Sequence, residues 1–320
     1  MSRIAAMIII MGFAVNVSAQ TESEAVDALK DGVSKSQAKD YLGAIESFKK
    51  CVSIYDELGL SNSENRGTAA SQITKTQYKY ALGFYKEKKY DESIAEFQKL
   101  AEYSKTYDDP EQLKKSEKVI PQLYYFKGKT LLDEKDYDGA LEALNKSIEL
   151  DANYVNSYLR KAQLYDEKGD VENFKTTIDK AISISKTKKD SKSESAAMQM
   201  AGNVFLRAGA DAVKHDNWNE AENYFNTLTQ YKEADEEIYY QLAVIYNKQS
   251  KWDASIEASN KALELMGDVD TKDAKIYYEL GNSYYGKGDN AAACDAYSKA
   301  NKGDYTEAAK YQMEHVVNCQ

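Results

Sequence analysis

Residues 274–307 read AKIYYELGNSYYGKGDNAAACDAYSKANKGDYTE, and this stretch decides the fold. A polar turn is followed by a small residue, Ala293, and then by an apolar anchor, Tyr297. Six similar phrases precede it along the chain, at 38–51, 88–100, 134–147, 167–181, 215–228 and 249–262. A unit of this size that recurs along a chain predicts a stacked array, since each unit covers the open face of its neighbour.

The spacing of the phrases gives the repeat length. The marker residues are Ala44, Ser93, Ala140, Phe174, Ala221, Ser255 and Ala293, of which only Phe174 is large. They lie 34 residues apart at the shortest, and longer intervals contain insertions. Small residues at positions 8 and 20 of this frame would let two helices approach closely, while large residues at 4, 11 and 24 fill the space beside them. With only two prolines, Pro110 and Pro121, the chain suits nearly continuous helix.

The 34-residue frame resembles the tetratricopeptide repeat. The repeat at 274–307 supplies Tyr277, Leu280, Gly281, Tyr284, Ala293, Tyr297 and Ala300 at the motif positions. Six further copies fall at 25–58, 74–107, 121–154, 155–188, 202–235 and 236–269, and the first two of these are the weaker matches. Two departures are clear: position 32 is never proline, and no repeat has tryptophan at position 4. The resemblance implies an all-α fold, an α-α superhelix (right-handed solenoid) of about seven helical hairpins in a single domain over 20–320.

Both ends of the chain carry their own patterns. Residues 1–19 combine Arg3, an apolar stretch and Val17-Ser18-Ala19, which predicts a cleaved signal peptide, with a retained anchor as the alternative. We therefore expect export to the bacterial periplasm, with secretion or surface association as the alternatives. At the other end, apolar residues at helical spacing over 305–317 predict a capping helix on the last repeat.

Three insertions, at 59–73, 108–120 and 189–201, open with helix-start patterns. These are Ser61-x-x-Glu64, Asp108-x-x-Glu111 and Ser191-x-x-Glu194, with Pro110 placed for a first turn. The first helices of repeats 2, 3 and 5 should therefore begin about three turns early. Pro121 should kink or split its helix. The insertions could be structural extensions or a ridge for a partner.

Charge and cysteine content limit the function classes. The net charge of −10 disfavours nucleic acid as a partner, because phosphate binding needs a basic surface. The acidic excess serves solubility or steers a basic partner. Cys51 falls at a core position and predicts a buried free thiol, whereas Cys294 and Cys319 could either pair or remain free.

No catalytic or metal-binding constellation stands out, so we expect no enzyme activity and no cofactor or metal. His215 and His315 stand alone, and Gly286-Lys287-Gly288 reads as a turn. Asp268, Asp270 and Glu279 fit three positions of a calcium loop, but Lys272 and Asp273 occupy the positions that need an oxygen ligand and a glycine. Thr271 or Asp273 as a helix cap explains that segment better.

The family resemblance also implies a binding surface. First-helix positions 2, 5, 9 and 12 would line a concave groove suited to an extended peptide or a partner helix. Tyrosine provides large contact area at low entropic cost, although the same side chains could simply pack between helices. The family's carboxylate clamp is absent. The residues expected to bind a partner are Tyr78, Tyr85, Tyr125, Lys129, Asn156, Gln163, Tyr240, Asn247, Tyr278, Asn282 and Tyr285.

The sequence thus favours a non-enzymatic scaffold that binds other proteins or peptides. The alternative is a module for glycans or cell-wall fragments, since aromatic faces stack on sugars and amides bond hydroxyls. An enzyme is the weakest of the three hypotheses.

Overall fold

The computed structural model describes residues 21–266 and 273–319, and within these residues every regular element is a helix. The chain divides into two compact units, one ending at Ala152 and the other beginning at Asn153. The helices of the first unit are α1 (Glu22–Gln37), α2 (Tyr41–Glu57), α3 (Glu64–Lys86), α4 (Tyr90–Thr106), α5 (Pro110–Asp133) and α6 (Tyr137–Leu150).

The second unit contains four further helix pairs and a C-terminal segment. Its helices are α7 (Val155–Glu167), α8 (Val171–Lys188), α9 (Ser191–Lys214), α10 (Trp218–Leu228), α11 (Glu236–Lys248), α12 (Trp252–Met266), α13 (Ala274–Lys287), α14 (Asn290–Ala300) and α15 (Thr306–Tyr311). In each unit, odd- and even-numbered helices pair as hairpins, and the second helix of one hairpin packs on the first helix of the next. The all-α fold of helical hairpins predicted from the sequence is confirmed.

The turn inside each hairpin has the same backbone form. The residue at position 15 of every repeat has a positive φ: Lys39, Lys88, Lys135, Gly169, Asp216, Ser250 and Gly288. An aspartate often follows and caps the second helix; the Asp136 carboxylate, for example, accepts from the Gly139 N–H at 3.0 Å. This left-handed conformation is strained in any residue that has a Cβ, so a lysine at this position destabilises the turn relative to glycine.

Glycine in place of Lys135 should therefore stabilise the first unit. Relief of the left-handed strain outweighs the added entropy of the unfolded chain, for a net gain of about 0.5–1 kcal/mol. Urea unfolding of Lys135→Gly against wild type measures it. The reverse change at the equivalent turn, Gly169→Ala, should destabilise the second unit, since its φ is +71°. Equal stabilities in both comparisons would contradict the argument.

Small residues allow the two helices of a hairpin to approach closely, as the repeat frame predicts. A Cβ added at Gly281 would lie 2.7 Å from ring carbons of Tyr297, and one at Gly209 would lie 2.8 Å from the ring of Phe225. Both pairs join position 8 to position 24. The exception in size, Phe174, is fully buried and meets Phe205 edge-on with ring centroids 6.0 Å apart.

The first helices of repeats 2, 3 and 5 are extended into the insertions, as predicted, but they begin after cap residues other than the predicted ones. α3 follows Ser63, α5 follows Asp109 and α9 follows Asp190, so the predicted caps Ser61, Asp108 and Ser191 are wrong by one or two residues. Asp108 occupies a left-handed turn at φ 52°, which leaves the next aspartate to accept from the Gln112 N–H. Pro110 opens α5 as predicted, and α5 continues through Pro121 rather than splitting there.

The last hairpin is covered by residues 303–319, which we call the C-terminal segment. A 3₁₀ turn (Gly303–Tyr305), α15 and a π-helical turn (Gln312–Val317) replace the single regular helix expected. Ala309 and Val317 are buried in one cluster with Ala293 and Tyr297, so the capping role is confirmed. A disulfide joins Cys294 of α14 to Cys319. The remaining cysteine, Cys51, is a buried thiol, and burial raises its pKa.

Some expectations concern residues outside the described part of the chain. These are the signal peptide at 1–19 and, in the calcium-like stretch, Asp268, Asp270, Thr271 and Lys272. Asp273 does precede α13, although its side chain makes no capping hydrogen bond. Across residues 21–266 and 273–319, no helix combines the length and the apolar character needed to cross a membrane.

Candidate functional site

The residues expected to bind a partner all lie on the first helices of their hairpins, and we call the surface they form in each unit the first-helix face. In the first unit this face carries Tyr78 and Tyr85 on α3 and Tyr125 and Lys129 on α5. In the second unit it carries Asn156 and Gln163 on α7, Tyr240 and Asn247 on α11, and Tyr278, Asn282 and Tyr285 on α13.

In the first unit, Tyr78 is partly a packing residue. Its ring meets Phe97 edge-on at 5.6 Å, and it borders the cluster of Ala81, Phe97 and Leu100. Tyr85 and Lys129 lie in a different environment, because both line an open cavity of about 500 Å³ between α3, α4 and α5. The other lining residues are Lys86, Lys88, Tyr90, Phe126, Thr130 and Asp133. We call this the α3–α5 cavity.

In the second unit, the two tyrosines at position 5 contact the C-terminal segment. Tyr278 has its ring 5.3 Å from Tyr305 and accepts a hydrogen bond from the Gln312 amide at 3.3 Å. Tyr240 is hydrogen-bonded to Tyr305, and burial together with this bond holds the pKa of Tyr240 above its ordinary value. The Lys275 ammonium lies 4.3 Å from the Tyr240 ring centre. These side chains are therefore engaged within the chain.

The amides between those tyrosines are also engaged. Asn247 donates to the Glu279 carboxylate at 2.8 Å and accepts from Ser283 at 2.7 Å. Asn282 accepts from the Tyr297 hydroxyl at 2.7 Å and donates to Glu279 at 3.2 Å. The carboxylate of Glu279, which also fits one position of the calcium-loop template, thus accepts hydrogen bonds from two side-chain amides. This network joins α11, α13 and α14 and leaves few polar atoms free for a ligand.

Other predicted residues remain accessible to a partner. Tyr285, at 42 % relative exposure, is among the most exposed large apolar side chains. Asn156 is exposed near the start of α7. Gln163 on the same helix is instead half-buried and engaged, since it accepts from Arg160 at 2.7 Å and donates to Glu167 at 2.8 Å. Two larger cavities, of about 710 and 920 Å³, contain none of the eleven residues expected to bind a partner.

Two kinds of site residue were missed by the sequence reasoning. Tyr90 and Phe126 line the α3–α5 cavity but occupy repeat positions 17 and 6, which the family frame assigns neither to the groove nor to the helix packing. Tyr305 covers Tyr240 and Tyr278 from the C-terminal segment. The sequence did contain one indication of the α3–α5 cavity, the lysine-rich run Lys86-Glu87-Lys88-Lys89 at the end of α3. Within the described residues, no group of three or more histidine, cysteine or carboxylate side chains could hold a metal ion.

Comparison with known proteins agrees with the repeat frame. A family model described as tetratricopeptide repeat matches residues 121–154, 155–188 and 274–302, and a second model with the same description matches 206–268, together half of the chain. Three of these matches begin at the first residue of a repeat in the frame. The repeats at 25–58 and 74–107 lie outside the matched residues.

Two curated relatives carry similar repeats. A TPR repeat-containing protein of Methanocaldococcus jannaschii is 28 % identical over 154 residues, which are 48 % of this chain and 22 % of that protein. Stress-induced-phosphoprotein 1 of Caenorhabditis elegans is 26 % identical over 186 residues, 58 % of this chain and 52 % of that protein. The chain thus spans about a fifth of the first relative and about half of the second.

Solved structures of repeat proteins are similar in part. YrrB, described as a TPR protein with an unusual peptide-binding site, is 20 % identical with a TM-score of 0.32, and the match covers 61 % of this chain and 88 % of YrrB. A tetratricopeptide repeat protein from Parabacteroides merdae is 13 % identical with a TM-score of 0.29, covering 91 % and 98 %.

Proposed function

Because the chain belongs to the tetratricopeptide repeat family, we propose that it is a non-enzymatic scaffold, exported to the bacterial periplasm, that binds a peptide or a partner helix through its first-helix face. Members of this family generally act as interaction scaffolds. A prebuilt surface of this kind binds without a large ordering cost, since its side chains are already held on packed helices.

The observation that carries the proposal is that some side chains of the first-helix face are accessible, whereas others are covered by the chain itself. In the first unit, Tyr85 and Lys129 border an open cavity, and in the second unit Tyr285 and Asn156 are exposed. Tyr240 and Tyr278 are instead covered by Tyr305. Large aromatic side chains that the fold leaves accessible are the usual anchors of protein interfaces. We therefore assign partner contacts to the accessible residues and a structural role to the covered tyrosines.

Export is supported by two independent features. The signal-like pattern at 1–19 is one, and the Cys294–Cys319 disulfide is the other, because disulfides persist mainly in oxidising compartments. Fractionation of cells that express the full chain, with mass measurement of the mature protein, tests this part. An intact N-terminus and a cytosolic location would contradict it.

Site-specific photocrosslinking in living cells tests the scaffold. A photoreactive amino acid is placed at Lys75 or Asn156, which are exposed on first helices, and as matched controls at Glu102 or Glu172, which are exposed on the second helices of the same hairpins. We expect adducts with specific proteins from the first-helix positions and none from the controls. Adducts from the control positions alone would show that another surface binds. Absence of protein adducts at all four positions would reject the scaffold and favour the glycan-binding alternative.

A further inference from the structure

The α3–α5 cavity contains a compact group of three aromatic rings. Tyr85 lies near the end of α3, Tyr90 begins α4, and Phe126 lies on α5. The ring centroids are 6.4 Å apart for Tyr85 and Tyr90, 5.6 Å for Tyr85 and Phe126, and 6.3 Å for Tyr90 and Phe126, with the last pair nearly parallel. All three side chains are half-buried, so the rings are fixed by packing while part of each faces the cavity. Such rings offer an apolar surface at low entropic cost.

Three lysines line the same cavity without a counter-ion. Lys86, Lys88 and Lys129 have no ion-pair partner among the described residues. Neighbouring lysines differ, since Lys89 pairs with Glu87 at 2.8 Å and Lys127 pairs with Asp91 at 2.5 Å. The single carboxylate of the lining is Asp133, which leaves a local excess of two positive charges on a chain of net charge −10. Unpaired charges in a concave site raise the local concentration of an oppositely charged ligand.

We propose that the α3–α5 cavity binds an acidic segment of a partner polypeptide, with an aromatic or other flat apolar side chain of that segment against Tyr85, Tyr90 and Phe126 and its carboxylates near Lys86, Lys88 and Lys129. This inference rests on the scaffold function proposed above and names the chemistry of its partner. A cavity of about 500 Å³ holds one or two side chains rather than a whole helix.

The lining favours this occupant over other anionic or aromatic ligands. The overall negative charge of the chain repels a nucleic acid, whose many phosphates extend beyond one cavity. A neutral glycan would need several carboxylates and amides as hydrogen-bond partners, whereas the polar groups of the lining are three ammonium groups, the hydroxyls of Tyr85, Tyr90 and Thr130, and a single carboxylate, with no amide. An acidic peptide that carries an aromatic residue complements both parts of the cavity.

Binding of a short fluorescent peptide to the mature protein tests the proposal. The probe contains phenylalanine flanked by glutamates, and its counterpart has glutamines in place of the glutamates. We expect the glutamate probe to bind more tightly than the glutamine probe and to weaken as salt is added. In the Lys86→Gln/Lys88→Gln/Lys129→Gln variant its affinity should fall about tenfold, because three exposed ion pairs together contribute about that much.

A matched variant separates a local effect from the loss of net charge. Lys39→Gln/Lys79→Gln/Lys135→Gln removes the same charge, and Lys39 and Lys135 occupy the hairpin-turn position of Lys88. This variant should bind the glutamate probe like wild type. Separately, Phe126→Leu should weaken binding of the phenylalanine probe several-fold more than binding of a probe that has alanine in place of phenylalanine. A double-mutant cycle over the two proteins and the two probes measures this difference.

The outcomes distinguish this inference from the scaffold itself. Equal binding of the two probes, or equal loss in the two lysine variants, would overturn the acidic-segment proposal. The scaffold would still stand if the photocrosslinked adducts persist. If those adducts are absent as well, both proposals fail together.

Discussion

Alanine in place of Gly281 is expected to destabilise the last hairpin, although alanine is the better helix former. A Cβ at this position would lie 2.7–2.9 Å from three ring carbons of Tyr297. That ring cannot move aside easily, since Tyr297 is fully buried and its hydroxyl donates to Asn282 at 2.7 Å. Overpacking of this kind costs about 1–3 kcal/mol, which exceeds the gain of up to about 1 kcal/mol in helix propensity.

Gly83 provides the matched control. It also lies inside a first helix, but a Cβ there would meet nothing within 4 Å. Gly83→Ala should therefore stabilise α3 by about 0.5–1 kcal/mol, so the two identical substitutions should act in opposite directions. Hydrogen exchange resolved by helix is the suitable measurement, because repeats of an array can open separately. Slower exchange in α13 and α14 of Gly281→Ala would show that the hairpin accommodates the methyl group.

The repeat frame was predictable because close helix packing leaves a periodic mark on the sequence. Gly281 faces Tyr297 and Gly209 faces Phe225, each joining positions 8 and 24. Only a small residue fits at position 8, so the recurrence of small residues there indicates the contact between the two helices of each hairpin. Helix starts were predictable to within one or two residues, whereas the choice between Asp108 and Asp109 as a cap depends on which of them takes the left-handed turn.

The candidate site was less predictable, because it depends on parts of the chain that the repeat does not encode. Tyr240 and Tyr278 occupy the expected positions, but Tyr305 from the non-repeating C-terminal segment covers them. Asn247 and Asn282 are engaged by Glu279 and Tyr297 through particular side-chain rotamers. Conversely, Tyr90 and Phe126 meet in the α3–α5 cavity only because α3, α4 and α5 converge there. A positional frame assigns side chains to faces, while their neighbours decide whether those faces are open.

Loss of the Cys294–Cys319 disulfide is expected to lower the free energy needed to detach the C-terminal segment from the last hairpin by about 3 kcal/mol. The bond closes a loop with a sequence separation of 25 residues, and closing a loop of that size removes conformational entropy from the unfolded ensemble and raises its free energy by about 3 kcal/mol. The remaining attachment of the segment includes the buried Ala309 and Val317, the partly buried Met313 and Val316, contacts of Tyr305, and the hydrogen bond from Gln312 to Tyr278. That set is small enough for the disulfide to decide how often the segment detaches.

Hydrogen exchange in α15, with and without reductant, measures the effect, and the Cys294→Ser/Cys319→Ser variant should reproduce the reduced state. Reductant should then cause no further change in the variant, which confirms that it acts through this bond alone. Detachment would also uncover Tyr240 and Tyr278, since Tyr305 contacts both. A scaffold that folds in an oxidising compartment would keep those tyrosines covered, and its partner contacts would remain on the accessible residues of the first-helix face. Unchanged exchange in the reduced protein would show instead that apolar packing alone holds the segment in place.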